Sequence, residues 1–190
     1  GGAGFLGMRL AKAILKRGAL TTATGALKEI TSIVLVDQIA PPVSINDARV
    51  SSYVGDITDK VFLDSAVAAD SESIFHLAAV VSGQAESDFD IGMRVNLDAT
   101  RALLVLCVTV RSGPRYIATS SVGEFGGKVQ GVLPDDQILT PQGSYGAQKA
   151  MGELLVSDMS RKGFIDGRAL RLPTVTVRPG TPNKAASSFA

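Results

Sequence analysis

Apolar runs that alternate with helical segments constrain the fold of this chain more than any other feature. Unbroken runs rich in β-branched residues predict strands at 32–37, 50–54, 73–80, 115–121 and 167–175. Apolar residues spaced three or four positions apart predict helices between them, the longest at 88–111 and 145–162. Strands that are apolar throughout are typical of a parallel sheet covered by helices on both faces. The sequence therefore predicts an α/β fold with a doubly wound parallel sheet.

The composition excludes several classes of protein. The 190 residues are 45% hydrophobic, which is enough for one domain with a buried core. The 19 Lys and Arg residues nearly balance the 18 Asp and Glu residues, so we expect no surface for nucleic acid. No apolar run is long enough to span a membrane. The one cysteine, Cys107, lies in an apolar run and predicts a packed thiol in a reducing compartment, so we expect a cytoplasmic protein.

The chain opens with GGAGFLG, in which glycines recur at positions 1, 4 and 7. Glycines at this spacing let a loop turn tightly and approach a pyrophosphate, while the following helix presents backbone N–H groups to the phosphates. An ordinary glycine-rich turn is the alternative interpretation. A phosphate-binding loop of this kind follows a buried strand in a Rossmann fold, so we expect the first strand to be absent from this segment.

An acidic residue ends the predicted strand that follows the glycine loop. Asp37 stands where a carboxylate can accept both ribose hydroxyls of an adenosine and repel the additional phosphate of NADP, which favours NAD. A strand-end aspartate that caps the next turn is the alternative. Asp56 and Ile57 follow the next strand and are candidates for contact with the adenine, although Gly-Asp is also a simple turn signal.

A hydroxyl, a phenol and an ammonium group are predicted to meet at the end of the sheet. Ser120 and Ser121 end a strand, and ligands of open α/β sheets bind at the carboxyl ends of strands. Tyr145 and Lys149 share one face of the next helix, and a nearby ammonium favours the phenolate. Tyr145 could then take a proton from a substrate hydroxyl while Ser121 holds the substrate oxygen. Each residue alone is ordinary, whereas the combination predicts a dehydrogenase.

Several motifs together resemble one enzyme family over nearly the whole chain. They are the glycine loop, Asp37, HLAA at 76–79, RVNLDAT around Asn96, SSVGEFG at 120–126, YGAQK at 145–149 and LRLPTV at 170–175. This set resembles the extended short-chain dehydrogenases/reductases, the nucleotide-sugar epimerase superfamily. Phe125 departs from the family pattern, which usually has tyrosine there, and this should affect the pocket wall more than the chemistry.

The resemblance implies the cofactor and the residues that bind it. It implies that Ser121, Tyr145 and Lys149 are catalytic, that Lys149 also binds the nicotinamide ribose, and that 173–175 lie beside the nicotinamide. The NAD-binding residues expected from the motifs and the resemblance are Gly1, Gly4, Phe5, Leu6, Gly7, Asp37, Asp56, Ile57, Leu77, Ala78, Ala79, Tyr145, Lys149, Pro173, Thr174 and Val175. We expect no metal site.

Two further polar residues are expected to support the site. His76 is the only histidine, and its place within a strand favours a packed residue near the cofactor over a catalytic one. Asn96 is expected to lie behind the active site and to fix backbone or water, as in related enzymes. A polar residue at a helix N-terminus is the alternative for Asn96.

The end of the chain bears on the substrate. The sequence RLPTVTVRPGTPNKAASSFA resembles the branch of the superfamily that oxidises the hydroxyl next to the carboxylate of four-carbon sugar acids such as D-erythronate. Arg178 is a candidate partner for that carboxylate, or else forms a salt bridge elsewhere. Ser121 is a further candidate for substrate contact, and Thr174, Asn183 and Lys184 are weaker ones. A nucleotide-sugar 4-epimerase or dehydratase, or a sensor that binds the cofactor without catalysis, are the other possibilities.

The organisation of the protein follows from these assignments. Residues 1–172 are expected to form an N-terminally truncated NAD-binding Rossmann domain. Residues 173–190 are expected to begin a substrate-binding region that continues beyond the chain end. The resemblance implies a homodimer through helices 88–111 and 145–162, because much of each helix would otherwise be bare.

Overall fold

A computed structural model of the protein describes residues 1–110, 112–127 and 131–174. The strands are β1 (Ala19–Thr21), β2 (Leu27–Glu29), β3 (Ile33–Asp37), β4 (Val50–Val54), β5 (Ser73–His76), β6 (Arg115–Ser121) and β7 (Asp166–Leu172). β3 pairs in parallel with β4, while β5, β6 and β7 form a second parallel sheet in that order. The prediction of an α/β fold with parallel strands is confirmed.

The glycine loop lies between the two parallel sheets. The Gly2 N–H donates a hydrogen bond to the Val36 carbonyl oxygen of β3 (2.9 Å), and Gly1 lies against the backbone of Leu77 and Ala78, just after β5. Within the described ranges, no strand pairs with both β3 and β5. The loop therefore reaches the carboxyl ends of both sheets, where a Rossmann fold binds its ligand.

Helices cover the sheets and bring the candidate catalytic residues to their edge. They are α1 (Phe5–Arg17), α2 (Lys60–Ala66), α3 (Ser82–Ser87), α4 (Phe89–Gly92), α5 (Ala99–Thr109) and α6 (Ser144–Arg161). A π-helical segment (Met93–Asp98) joins α4 to α5, and a 3₁₀ turn (Val122–Glu124) follows β6. Among the described residues, no helix is sufficiently long and apolar to cross a membrane.

Four predicted elements differ in the structure. The predicted strand 167–175 ends at Leu172 in β7, and its last predicted residue, Val175, lies outside the described residues. The predicted continuous helix 88–111 is interrupted by the π-helical segment, and its last predicted residue, Arg111, lies outside the described residues. The segment 19–29, expected to be a loop, is a hairpin of β1 and β2 that is closed by hydrogen bonds of Thr22 to Ala26. The predicted strand 73–80 ends at His76, and the backbone groups of Val80 bind the Asn96 side chain instead of a neighbouring strand.

The main core lies between α5, α6 and the sheet of β5, β6 and β7. Its buried side chains are Leu63, Leu103, Leu104, Cys107, Tyr116, Val156 and Ile165. Cys107 is 1% exposed, and burial raises the pKa of its thiol to about 12, as expected for a packed and unreactive cysteine. The core therefore fixes α6 against β6, the two elements that carry Tyr145 and Ser121.

Candidate active site

A cleft of about 820 Å³ runs along the carboxyl ends of the parallel strands. Its walls come from the glycine loop, from the ends of β3, β5, β6 and β7, and from the start of α6. The candidate site residues that line it are Gly1, Gly4, Phe5, Leu6, Asp37, Ile57, Leu77, Ala78, Ala79, Ser121, Tyr145, Pro173 and Thr174. The structure thus brings candidates from distant parts of the sequence to a single cleft.

The glycine loop and α1 provide one end of the cleft. Gly4 is the N-cap of α1, and the first turn has neither a side-chain cap nor an acidic residue. The first N–H groups of a helix lack intrahelical partners, so this end is suited to a phosphate. Gly7 is buried and does not line the cleft. A Cβ at Gly7 would overlap the carbonyl oxygens of Gly1 and Gly2, so its role is to let α1 pack on the loop.

Asp37 lies beside this loop at the end of β3. Its Oδ2 accepts a hydrogen bond from the Ala3 N–H (3.0 Å), and its Oδ1 accepts one from the Gln38 N–H (2.7 Å). Each oxygen of an ionised carboxylate has a second lone pair, which can accept from a ribose hydroxyl. An uncapped helix start beside an anchored carboxylate fits the diphosphate and adenosine ribose of a dinucleotide.

Asp56 and Ile57 occupy different places. Ile57 lines the cleft. Asp56 does not, and its Oδ1 accepts a hydrogen bond from the Thr58 N–H (2.8 Å). That hydrogen bond lowers the pKa of the Asp56 carboxyl and stabilises the turn after β4. The structure therefore gives Asp56 a local structural role, whereas its predicted contact with the adenine stays a prediction.

Asn96 holds the middle of the cleft wall in place. It is 2% exposed and lies in the π-helical segment. Its Oδ1 accepts from the Val80 N–H (2.8 Å), and its Nδ2 donates to the Val80 oxygen (3.0 Å) and to Gln148 Oε1 (2.8 Å). Asn96 thus ties the segment after β5 to α6. The sequence predicted this kind of support but not Gln148, whose partner lies 52 positions away.

Ser121 and Tyr145 meet around Gly123. A Cβ placed on Gly123 would lie 3.3 Å from Ser121 Oγ and 3.8 Å from Tyr145 Cδ1. Ser121 Oγ accepts a hydrogen bond from the Gly123 N–H (3.0 Å), which leaves its own O–H to donate elsewhere. Both side chains line the cleft beside Thr119 and Ser120.

Lys149 lies one turn beyond Tyr145 on α6. Its Nζ is 5.7 Å from the centroid of the Tyr145 ring and donates a hydrogen bond to the Thr119 oxygen (2.8 Å). Burial lowers the pKa of the Lys149 ammonium to about 8, while the negative charge of Glu124 acts in the opposite direction. Lys149 is not part of the cleft wall, and its predicted contact with the nicotinamide ribose stays a prediction.

His76 has a structural position. The residue is 8% exposed, and its Nδ1 forms a hydrogen bond with the Tyr116 hydroxyl (2.6 Å). Burial, together with the charge of Lys149, lowers the pKa of His76 to about 3, so its ring is neutral at physiological pH. A packed strand residue was the favoured interpretation of the sequence, and its geometry agrees.

Glu86 and Gly146 fix the start of α6. Gly143, the N-cap of α6, offers no side-chain cap, and Glu86 Oε2 instead accepts a hydrogen bond from the Ser144 N–H (2.9 Å). Gly146 touches the turn after Ser121 so closely that a Cβ there would overlap the Gly123 carbonyl oxygen. Neither contact was predicted, because each joins segments that are distant in sequence.

Alanine in place of Gly146 is expected to move α6 away from the 122–124 turn and to separate Tyr145 from Ser121. We expect kcat to fall at least about 100-fold in the full-length protein, since small displacements in a catalytic site have costs of this size. Thermal stability should fall as well. Gly152→Ala on the same helix is the matched control, because its Cβ would make only an ordinary contact with Thr100 at 3.7 Å. Equal activity of the two variants would contradict the prediction.

Some candidates lie outside the described residues. These are Val175, Arg178, Asn183 and Lys184. In the described part of the chain, no group of three or more His, Cys, Asp or Glu side chains is placed to bind a metal ion.

The sequence does not predict the cluster that Glu124, Glu153 and Arg171 form beside the cleft residue Ser120. The signal in the sequence is the acidic residue inside SSVGEFG, which does not by itself indicate burial.

Comparison with known proteins finds relatives that match the whole of this chain. D-erythronate dehydrogenase from Cupriavidus necator is 56% identical over 190 residues, and D-erythronate dehydrogenase from Haemophilus influenzae is 44% identical over 189 residues. The alignments cover 100% of this chain but 58% of each relative, so the chain spans little more than half of their length. The structure of the nucleoside-diphosphate-sugar epimerase from Agrobacterium tumefaciens has a TM-score of 0.87 at 41% identity, over 98% of this chain and 55% of that one.

The family itself is established by the match over the chain. The NAD dependent epimerase/dehydratase family matches residues 1–189. Its cofactor is the one predicted from Asp37 and the glycine loop, and its members include the dehydrogenase type that the motifs predict. From its motifs, its cleft and these similarities, the chain belongs to the NAD dependent epimerase/dehydratase family of extended short-chain dehydrogenases/reductases.

Proposed function

We propose that this chain forms the cofactor-binding and catalytic part of an NAD-dependent dehydrogenase that oxidises the 2-hydroxyl of a small sugar acid such as D-erythronate. The observation that carries the proposal is that Ser121 Oγ and the Tyr145 ring both lie close to Gly123 in the cleft. Lys149 Nζ lies 5.7 Å from the centroid of that ring. Two relatives that are 56% and 44% identical are D-erythronate dehydrogenases, which supports the choice of substrate.

Tyr145 is proposed as the catalytic base. An unperturbed phenol has a pKa of about 10, so it is a poor base near neutral pH unless a positive charge favours the phenolate. Lys149 provides such a charge on the same side of α6. NAD, when bound in the cleft, supplies the acceptor for the hydride from the substrate carbon. Tyr145 takes the hydroxyl proton, and with loss of the hydride the alcohol becomes a ketone.

Ser121 and the segment after β7 are proposed to hold the substrate. Ser121 Oγ already accepts a hydrogen bond from Gly123, so its O–H can donate to the substrate oxygen. Pro173 and Thr174 line the cleft next to Ser121. Arg178 and Asn183 are proposed to bind the carboxylate, because a guanidinium can form two parallel hydrogen bonds with it.

A homodimer is proposed through α5 and α6. Apolar side chains on these helices are exposed, with Val105 at 54%, Val108 at 47%, Met151 at 36% and Leu154 at 65%. Apolar residues grouped on neighbouring helices are typical of an interface between subunits. These exposed positions support the earlier expectation of dimerisation through helices 88–111 and 145–162.

A nucleotide-sugar 4-epimerase or dehydratase is the second candidate. The nucleoside-diphosphate-sugar epimerase from Agrobacterium tumefaciens, at 41% identity and a TM-score of 0.87, favours it. In that case Arg178 would bind a diphosphate instead of a carboxylate. A protein that binds the cofactor without catalysis is disfavoured, since it would not need Tyr145 and Lys149 at helical spacing.

The test is NADH formation by the full-length protein, followed by absorbance. NAD is supplied together with a panel of four-carbon sugar acids, with UDP-glucose and with UDP-galactose. We expect turnover with D-erythronate or a close analogue and none with the nucleotide sugars. Interconversion of the nucleotide sugars without net NADH would instead support the epimerase. NAD binding without any turnover would support a sensor.

A further inference from the structure

Glu124 is a buried carboxyl group that the proposed reaction does not use. It ends the 3₁₀ turn that follows Ser121, and it is 0% exposed. Ser120 Oγ donates a hydrogen bond to Glu124 Oε1, and Glu124 Oε2 lies 3.4 Å from Arg171 Nε. Burial of a carboxylate is costly unless it is paired, and Glu124 Oε2 has no hydrogen-bond partner among the described residues. The position therefore needs a physical explanation.

Arg171 interacts with two carboxyl groups, and it binds Glu153 more closely than Glu124. Arg171 binds Glu153 of α6 through two hydrogen bonds, Nε to Oε2 (3.1 Å) and Nη2 to Oε1, and donates from Nη1 to the Asp135 oxygen (2.8 Å). Glu153 therefore retains its charge. The pKa of Glu124 is raised to about 7, chiefly by burial and also by the charge of Glu153, although the Ser120 hydrogen bond and the charge of Arg171 lower it. Glu124 thus changes its charge near neutral pH.

Hydrogen bonds along β6 link the Glu124 carboxyl group to the proposed catalytic residues. Ser120, which donates to Glu124, lies between Thr119 and Ser121 on β6. The Thr119 oxygen accepts the hydrogen bond of Lys149 Nζ (2.8 Å). The negative charge of Glu124 raises the pKa of Lys149 against the effect of burial. The charge of Lys149 also acts on His76 of β5, but the His76 ring is neutral and contributes no charge.

We propose that Glu124 is a positioning residue for this site: it fixes the end of β6 through Ser120, next to the Thr119 oxygen that binds Lys149, and places a buried carboxyl group behind the catalytic residues. The inference rests on the proposed roles of Ser121, Tyr145 and Lys149. As the pH rises through neutrality, Glu124 ionises and provides a negative charge in the range where Lys149 would otherwise lose its proton. The site then keeps its positive charge, and with it the base form of Tyr145, over a wider range of pH.

The first test is the pH profile of kcat/KM for Glu124→Gln in the full-length protein. Glutamine can still accept the Ser120 hydrogen bond through its carbonyl oxygen, but it carries no charge. We expect the loss of activity at high pH to begin about one pH unit lower than in the wild type, as for removal of a nearby opposite charge. Glu72→Gln, an equal change at an exposed ion pair with Lys28, is the control and should leave the profile unchanged.

The second test needs no substrate or cofactor. The folded-state pKa of Glu124 is raised above that of an unfolded glutamate, so its contribution to stability is present at low pH and is lost as the pH rises through about 7. The Tm of Glu124→Gln minus the Tm of the wild type should therefore increase between pH 5 and pH 8. Contributions of His76 cancel in this difference, because both proteins contain it.

Ser120→Ala provides a second variant. It removes the hydrogen bond that lowers the pKa of Glu124, so the pH at which the stability contribution is lost should move upward. A profile of Glu124→Gln that matches the wild type, or a Tm difference independent of pH, would overturn the proposal. If the protein interconverts nucleotide sugars instead of oxidising sugar acids, the proposed function fails, while the Tm test and a profile on that reaction still decide the role of Glu124.

Discussion

Phenylalanine in place of Tyr145 is expected to lower kcat for a sugar acid at least about 100-fold, because positioned acid–base groups contribute about 100- to 10,000-fold. The phenyl ring fills the same place beside Gly123 but cannot take a proton. NAD affinity should change little, since the glycine loop and Asp37 are untouched. Initial rates of NADH formation and calorimetric titration of NAD measure the two effects separately.

The control for this variant is Tyr53→Phe. Tyr53 is 48% exposed on β4 and is not part of the cleft wall, so loss of its hydroxyl should leave turnover unchanged. Unchanged turnover in Tyr145→Phe would remove Tyr145 as the acid–base group. An equal loss of NAD binding would mean that the phenol acts in cofactor binding and not in proton transfer.

Alanine in place of Asp37 is expected to raise the ratio of kcat/KM with NADP to kcat/KM with NAD by about 10- to 100-fold. Hydrogen bonds to a charged group contribute about 1.5 to 3 kcal/mol, and these are lost for the ribose of NAD. The repulsion of the additional phosphate of NADP is lost at the same time. Steady-state rates with each cofactor at fixed substrate give the ratio.

Asp37→Asn separates charge from structure. An amide oxygen can still accept the hydrogen bond of the Ala3 N–H, so the loop should remain anchored while the repulsion disappears. Asp70→Ala, at an exposed position after α2, should not change the ratio. A ratio that is the same in Asp37→Ala and the wild type would show that Asp37 does not contact the ribose.

The residues that could be found from the sequence are those whose chemistry depends on local spacing. In a Rossmann fold the glycine loop opens a helix, and the acidic residue ends the strand that follows it. The predicted helix and strand therefore give the positions of GGAGFLG and of Asp37 in the fold. Tyr145 and Lys149 share a face because the helical repeat is 3.6 residues. The predicted strands at 32–37, 50–54 and 115–121 agree closely with β3, β4 and β6, because β-branched and aromatic residues favour extended backbone.

Contacts between distant segments could not be found in this way. The π-helical segment, the hydrogen bonds of Asn96 to Val80 and Gln148, and the close approach of Gly146 to Gly123 each depend on how α6 packs on the sheet. The buried hydrogen bonds of Asn96 are formed only when these elements are assembled. No local pattern of residues predicts them.

By itself, the sequence determined the parallel α/β fold, the glycine loop with Asp37, and the pairing of Tyr145 with Lys149, because each follows from helical or strand periodicity and from chemistry a few residues long. Only the tertiary structure decided which residues share the cleft and which charges act on one another. Glu124 shows why: in the sequence it is one acid in a loop, but packing removes it from water beside Ser120, Arg171 and Glu153. Electrostatic effects depend on distance and burial, and both are set by the assembled fold.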